Sequence, residues 1–241
     1  MGDIKANIIL KELWDIYGDS IDQEYNLFQK SKEQVLDEFF FVLLGGFGIS
    51  FELNLSGLQI LKNQSLFRRE YYKSPDNLVA IEEKIREQFF KKQFTPATSN
   101  GQLRKYRYIE TKPKIISEAG YWLWKSCEWE LFEELHKFNA FEARLWLCTC
   151  PGIGMKSASW FLRNTGFNDD CAVFDVHILR FLDYLGFHVP KQLTERMYLK
   201  LEDALRNVCD SVGVTLGKMD YLLWLLSRNG FLNHVERGED I

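Results

Sequence analysis

The chain has 241 residues, 46% of them hydrophobic and 27% charged, which is the composition of an ordinary globular protein with one large or two small cores. The formal net charge of −4 lowers the expectation of nucleic-acid binding without excluding it, because binding depends on the charge of one face. No signal peptide and no long apolar run are present, so we expect a cytoplasmic protein (nucleoid-associated if prokaryotic) that is neither secreted nor membrane-bound.

Helical periodicity predominates along the chain, and the first strong element is an apolar run at residues 39–44. By composition alone this run would suit a β-strand. Its continuity with the polar, helix-like residues 32–38 favours a buried helix that ends at Gly45 and Gly46. Strand signals are poor in the rest of the chain.

A second helix start is predicted at Ser74, because serine is a favoured N-cap and Pro75 suits the first helical turn. Apolar residues then recur at helical spacing: Leu78, Ile81, Ile85 and Phe89. Residues 95–101, rich in Pro, Thr, Ser, Asn and Gly, form the one clearly irregular segment. The basic stretch at residues 104–114 follows, and a solvated helix face is the default interpretation of such a run.

Three later helices have recognisable boundaries. Asn139 with Glu142 three residues later resembles a capping box. Thr194 is a candidate N-cap for the next amphipathic helix. The last strong helix is predicted to begin near Leu216 and to end near Gly230.

Cysteine and histidine spacing gives no sign of a metal site. The cysteines are odd in number, so we expect free thiols at Cys127, Cys148, Cys150, Cys171 and Cys209. Cys148 and Cys150 are too close for an ordinary zinc pair, and the four clustered cysteines of an iron–sulfur centre are missing near the C-terminus. The histidines show no metal-ligand spacing on one helix face. We therefore expect no metal and no other cofactor.

The most informative stretch is residues 147–186. A helix is predicted to end near Cys150, the sequence Pro-Gly-Ile-Gly at 151–154 makes a tight turn, and a second helix runs from about Met155 to Thr165 and is capped by Gly166. Two glycines let backbone amides approach an external group, and amides at a helix N-terminus suit a phosphate. Such contacts bind a nucleic-acid backbone without reading its sequence. Taken alone, the motif is equally compatible with a plain helix connection with structural glycines.

Two charged residues accompany this turn. Lys156 lies in the first turn of the second helix, where the helix dipole disfavours a positive charge and burial would leave some neutral amine able to attack carbon. Asp175 precedes an amphipathic helix and is a natural N-cap with a fixed carboxylate. A solvated lysine and a simple cap are the alternatives for each residue alone. Their joint occurrence beside the glycine turn favours the functional interpretation.

The sequences Pro-Gly-Ile-Gly-Met-Lys at 151–156 and Val-Phe-Asp-Val-His at 173–177 resemble the helix-hairpin-helix plus Gly/Pro-Asp (HhH-GPD) signature of DNA glycosylases. Within that superfamily the chain is similar to the 8-oxoguanine DNA glycosylase/AP lyases, including the archaeal and bacterial thermostable types. The resemblance is strongest over residues 140–186 and extends to a basic helix at 107–120 and a pocket helix at 218–224. The family often has proline or glycine just before the aspartate, whereas this chain has Ala-Val-Phe at 172–174.

The resemblance implies an enzyme that flips a damaged nucleotide out of double-stranded DNA and excises its base. Lys156 matches the catalytic lysine, which attacks C1′ and forms an imine that permits strand cleavage. Asp175 matches the catalytic aspartate, which stabilises the positive charge on the sugar. The candidates for binding the DNA backbone are Gly152, Ile153, Gly154, Met155, His177, Arg104 and Arg107.

Four side chains are candidates for the base pocket: Trp160, Asp220, Trp224 and Phe47, the last in a loop described below. Trp160 follows the lysine by four residues and so lies on the same helix face, and Asp220 and Trp224 are paired in the same way on the last helix. An aromatic ring can stack on a flipped base, and a carboxylate can accept hydrogen bonds from it. Tryptophans in the core and a structural aspartate at the beginning of a helix are equally compatible with this pattern.

Two further segments are candidate DNA contacts by the same resemblance. Relatives place at residues 45–51 the loop that fills the hole left by the flipped base, so Phe47 or Ile49 is a candidate wedge, or else part of a buried turn. The basic stretch at 104–114, beside the hairpin, becomes a candidate phosphate track.

We expect an all-α monomer of two helical layers, with the hairpin at the cleft where Lys156 and Asp175 would face each other. Residues 41–165 would form a helical barrel, and residues 1–40 with 166–241 a second subdomain. The expected function is that of a bifunctional DNA glycosylase/AP lyase for an oxidised or modified base such as 8-oxoguanine. One alternative is a glycosylase for a bulky hypermodified base of viral DNA in host defence, because relatives often have a smaller residue than Trp160. The other is a non-catalytic hairpin module that only binds DNA.

Overall fold

The structure, a computed structural model, describes residues 2–25 and 30–230, and within these ranges it contains 11 α-helices and no β-strand. The expected all-α class is confirmed. The helices are α1 (Gly2–Tyr25), α2 (Lys32–Leu44), α3 (Phe51–Asn63), α4 (Leu78–Phe90), α5 (Lys112–Cys127), α6 (Leu131–Leu135), α7 (Ala140–Leu147), α8 (Met155–Thr165), α9 (Val176–Leu185), α10 (Glu195–Val212) and α11 (Leu216–Arg228). Of the helices described, none combines the length and apolarity that crossing a membrane requires.

The chain divides into two compact units. The first comprises the described residues of Met1–Lys30 and Met155–Ile241, and the second is Ser31–Gly154. The second unit therefore spans 31–154, whereas the sequence analysis expected 41–165. A boundary at 41 would cut α2, and a helix folds as one hydrogen-bonded element. The helix α8 belongs to the first unit, to which Arg163 is joined by its ion pair with Asp220.

In the second unit, α2 contains a continuous run of buried residues from Glu38 to Leu44. Ser31 and Gln34 form a capping box at its start, and the predicted buried helix over residues 39–44 is confirmed. Aromatic rings from this run pack against later segments, as Phe40 stacks on Phe67 with ring centroids 3.9 Å apart. The helix ends where the Gly45 amide donates back to the carbonyl groups of the last turn.

The basic stretch of the second unit was predicted to belong to a helix over residues 107–120. The helix α5 begins only at Lys112, so most of the basic stretch lies outside it. Residues 104–111 run as an irregular segment whose buried Tyr106 donates its hydroxyl to the Leu44 carbonyl at 3.1 Å. Arg104 forms an antiparallel bridge with Phe94, so its backbone is already paired outside a helix. These long-range contacts override the local preference, and the basic side chains do not share one helix face.

In the first unit, α1, α9, α10 and α11 surround one apolar core with residues such as Leu10, Phe181, Leu205 and Leu223. The predicted N-cap at Thr194 is present, as its hydroxyl accepts from the Met197 amide. The last helix runs from Leu216 to Arg228, close to the predicted bounds. This core supports the irregular segment between α8 and α9, which leads to Asp175.

Candidate active site

The turn at residues 151–154 has the tight geometry that its glycines predict. Gly152 has a φ of +81°, and a Cβ placed there would lie 2.3 Å from the Ile115 side chain. Glycine is therefore required both by the backbone conformation and by the close approach of a neighbour. Ile153 is buried, whereas Gly152 and Gly154 are exposed, so two of the residues before α8 face solvent.

Lys156 is the second residue of α8 and its side chain is exposed. Among the residues that the structure describes, no carboxylate lies within ion-pair distance of its amine, in contrast to Lys218, which pairs with Asp22 at 2.7 Å. A lysine in a first helical turn gains nothing from the helix dipole. The amine is thus accessible and without a counter-charge inside this part of the protein.

Asp175 is the N-cap of α9, as its position in the sequence predicts. Its Oδ1 accepts hydrogen bonds from the backbone amides of His177 at 2.8 Å and Ile178 at 2.9 Å. The other oxygen, Oδ2, makes no hydrogen bond to any residue that the structure describes. The cap therefore fixes the carboxylate through one oxygen and leaves the second available to an external group.

A chain of contacts connects the helix of Lys156 with the segment of Asp175, within the first unit. Arg163 lies seven residues after Lys156, two turns along the same face of α8, and forms a buried ion pair with Asp220. Asp220 also accepts a hydrogen bond from the Val173 amide at 3.0 Å. Both candidate catalytic residues thus extend from one connected framework.

Asp220 does not occupy the position that reading a base would require. Its side chain is 0% exposed, and both of its oxygens already accept hydrogen bonds, one from Arg163 and one from Val173. Burial raises the pKa of Asp220 to about 6, although the charge of Arg163 and the Val173 amide act in the opposite direction. The sequence-based assignment of Asp220 to the base pocket is therefore corrected to an internal, structural position.

The two tryptophans predicted for the base pocket are half-buried. Trp160 lies on α8 one turn after Lys156. Trp224 stacks on Tyr221 with ring centroids 5.8 Å apart, and the Arg228 guanidinium lies 5.5 Å from its ring centroid. Neither ring is sealed in the core, so both retain surface for a further contact.

In the second unit, the loop at residues 45–49 displays an aromatic ring. Phe47 is 78% exposed, whereas the other wedge candidate, Ile49, is half-buried. Three side chains bind the carbonyl groups of the loop: Tyr108 binds Phe47 at 2.8 Å, Arg107 binds Gly48 at 3.4 Å, and Lys112 binds Gly45. These hydrogen bonds stabilise a loop conformation in which the Phe47 side chain is exposed.

Within the basic stretch, the residues differ in exposure and in the groups that they contact. Arg104 is exposed and donates to the Ala97 carbonyl at 3.2 Å, and Arg107 is exposed beside the loop. Lys112 is partly buried and also donates to the Leu43 carbonyl, so it caps the end of α2 and is not free to bind a phosphate. Burial lowers the pKa of Lys112 to about 8.

His177, another candidate for binding the DNA backbone, lies in the first turn of α9. Its side chain is exposed, and its backbone amide donates to Asp175.

Three residues of this framework were not predicted from the sequence: Arg163, and the α10 residues Tyr198 and Glu202, which accept hydrogen bonds from the Phe174 and Ala172 amides before Asp175. The seven-residue spacing from Lys156 to Arg163 was a signal that could have indicated a shared helix face. The partners of Tyr198 and Glu202 are distant in the chain, and no local pattern indicates them.

The helical fold, the glycine turn that leads into a helix with an exposed lysine, and the capped aspartate define the class of helix-hairpin-helix DNA glycosylases. Residues 72–214, more than half of the chain, match the family model described as 8-oxoguanine DNA glycosylase. The protein belongs to this family.

Curated relatives match over parts of their length. An 8-oxoguanine DNA glycosylase/AP lyase of Fusobacterium nucleatum is 42% identical over 86 residues, which are 34% of this chain and 40% of the relative. The enzyme of the same name from Thermotoga petrophila is 36% identical over 124 residues, 50% of this chain and 56% of the relative. The chain thus spans about half the length of the curated relatives that it matches.

Solved structures match over nearly the whole chain. The crystal structure of the 8-oxoguanine DNA glycosylase of Thermotoga maritima has a TM-score of 0.66 and 27% identity, and the match covers 92% of this chain and 96% of that one. The Methanocaldococcus jannaschii 8-oxoguanine glycosylase/lyase, in complex with 15mer DNA containing 8-oxoguanine, has a TM-score of 0.64 and 24% identity over 92% of this chain and 98% of that one. At this lower identity the likeness concerns the fold alone.

Proposed function

We propose that the protein is a bifunctional DNA glycosylase/AP lyase that removes an oxidised base, 8-oxoguanine or a close analogue, from double-stranded DNA. Two observations together carry the proposal: Lys156 is exposed and has no ion-pair partner among the described residues, and the capping hydrogen bonds of Asp175 occupy only one of its carboxylate oxygens. A free amine and a fixed carboxylate oxygen are the two groups that this reaction needs. Family membership and the names of the relatives support the same activity.

The reaction uses Lys156 as nucleophile. Its neutral amine attacks C1′ of the flipped nucleotide, the N-glycosidic bond breaks, and its electron pair leaves with the base, which takes up a proton. Asp175 Oδ2 stabilises the positive charge that develops on the sugar. Ring opening then gives an imine between Lys156 and C1′, and loss of a C2′ proton expels the 3′ phosphate and cleaves the strand.

We assign DNA binding to groups that contact the sugar–phosphate backbone and do not read the base sequence. The exposed glycine turn and the first amides of α8 suit a backbone phosphate, and His177, Arg104 and Arg107 are exposed side chains that can add to such contacts. Phe47 is proposed as the wedge that enters the stack when a nucleotide leaves it. Trp160 and Trp224 are proposed to contact the flipped base. The protein is further proposed to act as a monomer in the cytoplasm, associated with the nucleoid if prokaryotic.

The test is reductive trapping with borohydride, which converts the imine into a stable protein–DNA adduct. The native protein should give this adduct with a duplex that contains 8-oxoguanine, and Lys156→Gln should give none. Lys200→Gln, which removes an exposed lysine of α10 in the same unit, is the matched control and should trap as the native protein does. An undiminished adduct from Lys156→Gln would remove Lys156 from the role. DNA binding with no adduct and no base release from the native protein would instead favour a non-catalytic binding module.

A second candidate substrate is a bulky hypermodified base, as in viral DNA. The half-buried Trp160 on the face of Lys156 favours it, because its large ring can stack on such a base once it is flipped. Base release from a panel of modified duplexes, measured by mass spectrometry, separates the two substrates. Preferential release of 8-oxoguanine supports the repair substrate, whereas preferential release of a bulky base supports a defence role.

A further inference from the structure

The segment at residues 171–174, which leads into Asp175, is held through its backbone by side chains of α10 and α11. Each of three consecutive amides donates to a different buried side chain: Ala172 to Glu202 at 2.9 Å, Val173 to Asp220 at 3.0 Å, and Phe174 to the Tyr198 hydroxyl at 3.4 Å. The same hydroxyl donates to the Ala172 carbonyl at 2.5 Å. The segment is buried and irregular, so these side chains supply the partners that a helix or sheet would otherwise provide.

The orientation of this segment determines where Asp175 directs its free oxygen. Oδ1 is fixed from one side by the first amides of α9. The direction in which the backbone enters that helix is fixed from the other side by the three anchored amides. Two of the three anchors are carboxylates, and hydrogen bonds to charged acceptors are stronger than those between neutral groups. The position of Asp175 Oδ2 is therefore fixed both by the hydrogen bonds to Oδ1 and by the anchored backbone before it.

Asp220 also forms an ion pair, and this contact reaches α8. Its Oδ2 pairs with Arg163 of α8, and both side chains are almost inaccessible, at 0% and 4% exposure. A buried ion pair contributes little net stability compared with apolar residues of similar size. Its distinctive effect is geometric, because one carboxylate joins the helix that carries Lys156 to the segment that ends at Asp175.

We propose that Asp220, with Tyr198 and Glu202, positions Asp175 for base excision, and that the Arg163–Asp220 pair sets the register between α8 and the 171–174 segment. This inference rests on the proposed function and extends it to groups that never touch DNA. Positioning residues of this kind act on the rate because a small displacement of a reacting group has a large effect.

The test separates base release from imine formation. Asp175→Asn keeps an N-cap and loses the charge, and it should slow single-turnover release of 8-oxoguanine by about 100-fold or more. Asp220→Asn should slow it by about tenfold. Both variants should keep trapping at a pre-formed abasic site within about twofold of native, because that step needs chiefly Lys156. The double variant should release base no more slowly than Asp175→Asn alone, since Asp220 acts through Asp175.

Asp22→Asn is the matched control, because it removes a carboxylate that pairs with α11 without contacting the 171–174 segment. It should be native in both assays. If Asp220→Asn does not fold, Tyr198→Phe replaces it in the same cycle, since it removes two contacts to the segment and keeps the ring. Losses that add up in the double variant, or that affect release and trapping equally, would overturn the inference.

Two outcomes separate this inference from the proposed function. Native release by Asp220→Asn, beside a slow Asp175→Asn, would overturn the positioning role alone. No release by the native protein from any duplex of the panel would overturn the proposed function and this inference with it.

Discussion

The 171–174 segment and the 45–49 loop are both short and irregular, and both are held by side chains, but in opposite ways. The 171–174 segment is buried and its amides donate to carboxylates and a hydroxyl. The 45–49 loop lies mostly at the surface, and its carbonyl groups accept from Tyr108, Arg107 and Lys112. The first arrangement fixes an atom for chemistry, whereas the second supports an exposed ring.

Because of this difference, we expect substitutions to destabilise the buried segment more than the surface loop. Partners removed from the buried segment leave desolvated charges or amides behind, which is expensive. Partners removed from the surface loop are replaced by water. The two regions should therefore respond differently to comparable changes, in stability at the first and in DNA processing at the second.

The largest expected effect is on stability, from Asp220→Ala. This change leaves the Arg163 guanidinium, which is 4% exposed, without its partner, and should lower the free energy of unfolding by about 3–5 kcal/mol. Denaturant titration measures it. Tyr108→Phe, which removes one hydrogen bond from the loop, should cost at most about 1 kcal/mol. Equal losses of stability from the two variants would show that the buried segment and the surface loop do not differ in this respect.

The next effect is on activity, from Phe47→Ala. Loss of a wedge should slow single-turnover base release from duplex DNA by about tenfold, because unstacking is no longer compensated. The unfolding free energy should stay within about 0.5 kcal/mol of native, since the ring is 78% exposed. Val79→Ala, an exposed apolar residue of the same unit, serves as control and should be native in both measurements. Unchanged release from the duplex by Phe47→Ala would count against the wedge.

A third effect is on the pH dependence of stability, through Lys112. Because its pKa is about 8 in the folded protein and higher in the unfolded chain, the unfolded chain binds more protons above pH 8. The free energy of unfolding of the native protein, relative to that of Lys112→Met, should therefore rise from about pH 8 to pH 10. Paired denaturant titrations across this range measure the difference, and a flat or falling curve would show that Lys112 is not desolvated.

Local signals in the sequence predicted much of the fold. The capping box at Asn139, the N-caps at Thr194 and Asp175, and the end of α8 at Gly166 are all present, because each is determined by side chains within a few residues. The buried helix over residues 39–44 was predicted for the same reason.

Non-local pairing accounts for what the sequence did not predict. Asp220 was assigned to a base pocket from its spacing to Trp224. Its partner Arg163 is 57 residues away, so no local pattern indicates their contact, and only the folded chain brings them together. The basic stretch was predicted as a helix face, yet the burial of Tyr106 against the Leu44 carbonyl holds it irregular. Tertiary contacts of this kind outweigh local preference.

In the proposed reaction, the amine of Lys156 becomes covalently bound to the sugar of the damaged nucleotide. Digestion of the borohydride-trapped adduct, followed by mass spectrometry of the peptides, identifies the modified residue directly. We expect a reduced sugar adduct on Lys156 and on no other lysine. An adduct on a different amine of the native protein would contradict it.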